Sequence, residues 1–150
     1  MRLITVLACP FVAAGLAACG GDDPVGVATP CTDNTGAVAV TVTSGATGPV
    51  FNWDPDCGVA FLIVEEGAGD VWFIGTDDAT WGDPGLGNLF TPPVTYGVAP
   101  TGTLDQYGPD PLSIGGTYDV TLWRVPPGST ADCLAVAFGL CMLANQEFVR

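Results

Sequence analysis

The chain reads as an all-β protein folded as an antiparallel sandwich, and three features of the sequence carry that reading. Apolar residues alternate with small or polar ones over short stretches: Val38, Val40 and Val42 share one face of 37–43, and Tyr118, Val120 and Leu122 share one face of 117–124. A period of two is that of a half-buried strand. Turn signals built from 21 glycines and 13 prolines separate these stretches and leave no sustained helical period. Finally, 58–64 runs through Val59, Ala60, Phe61, Leu62, Ile63 and Val64 without alternation, as a strand covered on both faces requires. Two antiparallel sheets sharing about seven strands satisfy all three.

The elements follow in chain order. Met1-Arg2 is a short positive start, and Leu3 to Ala18 is an uncharged apolar run. Leu16-Ala17-Ala18-Cys19 sets small residues ahead of a cysteine, and Gly20-Gly21-Asp22-Asp23 continues it as a polar tether. This resembles the lipobox of bacterial lipoproteins. The resemblance implies cleavage before Cys19, a diacylglycerol thioether on its sulfur and acylation of the new amino end. Residues 1–18 are then the signal peptide, 19–35 the lipidated cysteine and flexible tether, and 36–150 the sandwich domain. A transmembrane helix is disfavoured, because the apolar run is shorter than about 20 residues and Pro10 interrupts it. Val6-Leu7-Ala8-Cys9 is a weaker lipobox, since it leaves an apolar segment below the usual 7 to 15 residues or so.

Within the domain, 37–43 is the first strand and Val50-Phe51-Asn52-Trp53 the second, stopped by Asp54-Pro55-Asp56. The apolar 58–64 stretch is central and pairs as a hairpin with Val71-Trp72-Phe73-Ile74 across the turn 65–70. Residues 76–88 form a loop rich in Asp and Gly. Pro92-Pro93 confines the strand Val94-Thr95-Tyr96 to an edge or bulge. The stretch 100–111 reads as turns, 117–124 as a strand, and 133–149 as one or two closing strands around Gly139. A helix over 134–143 is the alternative, since a short apolar run does not decide between the two.

Of six cysteines, Cys9 leaves with the signal and Cys19 carries lipid, so Cys31, Cys57, Cys133 and Cys141 remain. An even four in an exported domain implies two disulfides, and three pairings are possible. Nearness in sequence favours Cys133 with Cys141, and by subtraction Cys31 with Cys57.

Leu112-Ser113-Ile114-Gly115-Gly116-Thr117-Tyr118 is similar to the signature of fibronectin type III domains, a leucine six residues before a tyrosine that opens an alternating strand. In that family the tyrosine hydroxyl bonds back to main chain near the leucine, a role the resemblance assigns to Tyr118 and Leu112. Trp53-Asp54-Pro55 likewise resembles the second-strand tryptophan whose indole enters the core. The resemblance spans about 37–125 and implies a fibronectin-like or immunoglobulin-like sandwich. Ile114 and Gly116 depart from the family's usual proline and threonine.

Composition narrows function. Three basic residues face 16 acidic ones for a net charge of −13, and histidine and lysine are absent. Such a surface repels nucleic acid and anionic headgroups. Nucleophilic catalysis lacks a base near Ser44, Ser113 or Ser129, and no enzyme activity is expected. No cofactor is expected, with calcium held open on Asp77, Asp78 and Asp83. Trp72, Trp81, Tyr107 and Trp123 are candidates for an aromatic platform that binds sugar rings or an apolar patch. The expected role is a non-catalytic interaction module of the bacterial envelope, held in the membrane through its N-terminal lipid and contacting another envelope protein. Gly20 after Cys19 fits the outer membrane. A polysaccharide or calcium module and a structural spacer are the alternatives.

Overall fold

The computed structural model describes Cys31, residues 38–76, Gly87, residues 90–126 and residues 133–150. Among these, nine strands follow in order and no helix occurs: β1 (Ala39–Ser44), β2 (Pro49–Asp54), β3 (Phe61–Glu66), β4 (Gly69–Thr76), β5 (Val94–Thr95), β6 (Thr103–Tyr107), β7 (Thr117–Arg124), β8 (Ala135–Ala137) and β9 (Leu140–Val149). They form a three-stranded sheet in the order β1-β2-β5 and a six-stranded sheet in the order β6-β4-β3-β7-β9-β8, antiparallel throughout.

The two sheets close over one core. Phe51 and Trp53 of β2 point into it from the small sheet, and Leu62, Trp72, Ile74, Val120, Leu122 and Phe148 from the large one. The Phe51 ring lies 6.5 Å from that of Trp72 and 5.6 Å, edge on, from that of Phe148, so aromatic contacts bridge the sheets. β3 sits between β4 and β7, and its residues Phe61, Leu62 and Val64 are buried. This is the central place that its unbroken apolar run requires. β5 is the edge of the small sheet, where Pro92-Pro93 can precede it without breaking a ladder.

Turn chemistry sets the registers. Glu66 pairs with Gly69 across Gly67-Ala68, and Gly67 at φ 65 takes the first position of a two-residue turn, the geometry that needs glycine there. Ala137 pairs with Leu140 across Phe138-Gly139, whose φ values of 51 and 79 are both left-handed. That makes 133–143 part of a hairpin and not the helix considered from sequence. Another difference is β6, which lies in a stretch read as turns. Asp105 and Gln106 hide its alternation, and pairing with the open edge of β4 is what extends it.

Tyr118 opens β7 and is buried, and its hydroxyl accepts the Ser113 N–H at 2.8 Å beside the buried Leu112. A Cβ on Gly116 would stand 2.7 Å from that hydroxyl, so the bare backbone at 116 lets the ring approach. The Trp53 indole is buried and donates to the Cys57 carbonyl at 2.9 Å. Disulfides join Cys31 to Cys57 and Cys133 to Cys141, with Cα–Cα distances of 4.9 and 5.2 Å.

The sandwich has two poles, defined by the ends of β7. At the Thr117 pole lie the turn Gly67-Ala68, the end of β9 and the Leu112 to Gly116 corner. At the Arg124 pole lie the start of β3, Cys57 with Cys31, and the tip of the β8–β9 hairpin.

Candidate functional site

Of the four aromatics proposed as a platform, the three described ones, Trp72, Tyr107 and Trp123, do not come together. Trp72 is fully buried, which corrects its assignment to a binding surface. On β4, Trp72 and Ile74 face the core while Phe73 packs with Phe61 and Trp123 on the other face, and the Trp72 Nε1–H donates to Asp105 Oδ1 at 3.0 Å, which satisfies its polar end. Trp123 is half-buried on the outer face of the large sheet, in register with Phe61 and Met142, and donates to Thr121 Oγ1 at 3.1 Å. Tyr107 is half-exposed on β6 and donates to Asp110 Oδ2 at 3.3 Å; the Asp110 carboxylate raises its pKa. β4 and β3 stand between β6 and β7, so Tyr107 and Trp123 are about 14 Å apart in strand spacings. Trp81, the calcium candidates Asp77, Asp78 and Asp83, and Cys19 lie outside the described residues.

The outer face of the large sheet is graded in charge. Asp70 pairs with Glu65, Glu65 with Asp119, and Asp119 with Glu147, so a carboxylate row crosses β4, β3, β7 and β9 near the Thr117 pole. Burial and then the charges of Asp70 and Asp119 raise the pKa of Glu65 above its ordinary value of 4.5. Like charges in facing positions cost stability. No group of three or more Asp, Glu, Cys or His among the described residues is placed to hold a metal ion.

Two clefts of about 290 and 330 Å³ flank the Thr117 pole and share Thr47, Gly48, Pro49 and Arg150. The second also contains Tyr96 and Asp110. Tyr96 Oη donates to the Asp110 carbonyl at 2.6 Å, and burial, with help from the Asp110 charge, pushes its pKa up to about 12. The Tyr96 phenol therefore stays protonated near neutral pH. Arg150 reaches the Leu112 carbonyl and thereby ties the end of β9 to the tyrosine corner.

At the Arg124 pole the chemistry is different. Arg124 is buried, and its guanidinium donates to the Cys31 carbonyl. Cys31 N–H donates to the Gly58 carbonyl at 3.3 Å, and the Cys31–Cys57 bond fixes the same place covalently. Arg124 stands opposite Cys141 in the β7–β9 ladder, and Cys141 is bonded to Cys133 at the root of the hairpin. Leu134, Val136 and Phe138, at alternate positions of that hairpin, are exposed. Sequence reading missed this surface, although an apolar residue before Gly139 where a turn usually carries Asn or Asp is a signal that points to it.

The remaining surface of note is an edge. β1 is hydrogen-bonded on one side only among the described residues, to β2. Val40 and Val42 are half-buried toward the core, while Thr41 and Thr43 face outward. Ala39–Ser44 contains no charge and no proline, and its register with β2 has no bulge.

No family model, no curated protein and no solved structure matches the chain.

Proposed function

We propose that the protein is a lipid-anchored, non-catalytic interaction module of the bacterial cell envelope, built on a fibronectin-like or immunoglobulin-like sandwich. Strand assignment supports the sandwich type. In such domains strands A, B and E share one sheet, and C, F and G the other, with a corner tyrosine at the start of F. β1, β2 and β5 correspond to the first set and β3, β7 and β9 to the second. Tyr118 opens the F equivalent with its hydroxyl on the Ser113 N–H.

The observation that carries the interaction reading is the edge of β1. Exposed edges are normally blocked by charge, proline or a bulge, because unpaired N–H and C=O groups recruit another strand. This edge carries none of those devices; it runs beside β9, and the cleft between Val42–Ser44 and Phe148–Arg150 suits strand addition by an extended segment of another envelope protein. The signal and lipobox pattern at 1–19 and the two disulfides of the domain support an exported, anchored location.

In-cell crosslinking, membrane solubilisation and affinity capture with mass spectrometry test this. A protein partner is expected with the native chain and is expected to be lost from Thr41→Lys/Thr43→Lys, which puts charge on the open edge without touching the core. Cys19→Ala is expected to release a folded domain from the membrane fraction. An unchanged partner with the lysine variant would overturn strand addition, and membrane retention of Cys19→Ala would overturn the anchor.

A further inference from the structure

We propose that the β8–β9 hairpin is a second membrane contact, with Phe138 lying in the interfacial layer of the bilayer that holds the chain's lipid. This rests on the anchor reading above and on three separate observations.

The first is chemical. Leu134 is 66% exposed, Val136 55% and Phe138 91%, and no charged residue occurs from Cys133 to Gln146 in a chain of net charge −13. An uncharged apolar hairpin is what enters the headgroup and acyl boundary at least cost. β8 is only three residues long, a poor template for strand addition, so its side chains and not its backbone are what it offers.

The second is local geometry. Phe138 sits at φ 51 in a turn whose neighbour Gly139 has φ 79. Bulky side chains avoid that backbone, and Asn or Gly is preferred there. With its side chain 91% exposed, Phe138 recovers little of this cost by packing inside the domain. A residue that breaks a local rule without an internal return marks a place where something outside the domain supplies it.

The third is placement. The chain from Cys19 enters the described domain at Cys31, whose carbonyl is held by Arg124. Arg124 faces Cys141, and the tip of the hairpin projects from the same pole. The chain between Cys19 and Cys31 spans at most about 40 Å fully extended, and it joins the domain at the pole that carries the hairpin. Asp54 and Asp56 are exposed at the same pole on the small-sheet side. They limit the contact to the hairpin and favour zwitterionic over anionic headgroups.

The test installs the photoreactive residue p-benzoylphenylalanine in place of Phe138 in the full chain expressed in cells. A second strain carries it in place of Ile114, 93% exposed at the Thr117 pole. Irradiation is expected to give an adduct of phospholipid mass at position 138 and none at 114. With the probe moved to Val136, Phe138→Asn, which suits the same turn, is expected to lower the lipid adduct several-fold while the Cys133–Cys141 bond stays intact. An adduct to another protein or to a second copy in place of lipid overturns the proposal, as does an equal lipid yield at 114. The mass of the amino-terminal peptide reads the anchor independently. Acylated Cys19 without a lipid adduct at 138 overturns the hairpin contact and leaves the anchor standing. A lipid adduct on a chain without acyl groups supports the contact and overturns the anchor.

Discussion

Gly116 illustrates how one missing side chain serves a corner. The Tyr118 ring is wedged against Phe148, with ring centroids 5.6 Å apart, and its hydroxyl is held by Ser113. A methyl on Gly116 would meet the hydroxyl at 2.7 Å and two ring carbons at 2.8 and 3.0 Å. Gly116→Ala is expected to destabilise the domain by about 1 to 3 kcal/mol, the usual cost of overpacking, read as a lower urea midpoint with an unchanged slope. Glu65 gives a prediction of opposite sign. Its folded pKa lies above the ordinary 4.5 because of burial, Asp70 and Asp119, so the folded state holds its proton more tightly than the unfolded one. Stability from this group is therefore present below pH 4.5 and is lost as pH rises through the raised folded value. Glu65→Gln is expected to flatten that loss and to leave the domain more stable at pH 7 than the native chain. Urea titrations of both proteins at acid and neutral pH check it, and a parallel pH dependence in the two would refute the assignment.

At the scale of elements, the two disulfides have unequal work. Cys31–Cys57 closes a loop with a sequence separation of 26 and Cys133–Cys141 one of 8. Chain-entropy arguments give about 3.5 and about 2.5 kcal/mol respectively. Cys31→Ala/Cys57→Ala is thus expected to lower thermal stability more than Cys133→Ala/Cys141→Ala, by differential scanning calorimetry. The short bridge has a local role besides. It ties the root of the hairpin to β9 beside Arg124 and keeps the exposed apolar tip as a defined turn. β6 makes the complementary point, because its exposed Asp105 is held by the Trp72 indole at 3.0 Å and by pairing with β4. An edge strand of this kind is formed by its neighbour and not by its own pattern.

Among the described residues of the large sheet, charge and apolar surface are sorted between its poles. The carboxylate row of Asp70, Glu65, Asp119 and Glu147 lies toward the Thr117 pole, and the uncharged hairpin at the Arg124 pole.

Much of this fold was legible in the sequence. The strands at 37–43, 50–53 and 117–124, the central place of 58–64 and its hairpin with 71–74 followed from local periodicity and turn residues, since a period of two and a glycine turn are short-range properties. The disulfide pairs followed from spacing. What the tertiary structure alone decided was which side of an evenly apolar strand faces inward. Val71-Trp72-Phe73-Ile74 is apolar at every position, so its sequence has no parity, and the register with β3 and β6 is what buries Trp72 and turns Phe73 outward. The same holds for the closing hairpin, where 134–143 is apolar throughout. Membership at the sheet edge is what leaves Leu134, Val136 and Phe138 in the open, because burial is set by what packs against a residue and not by its own hydrophobicity.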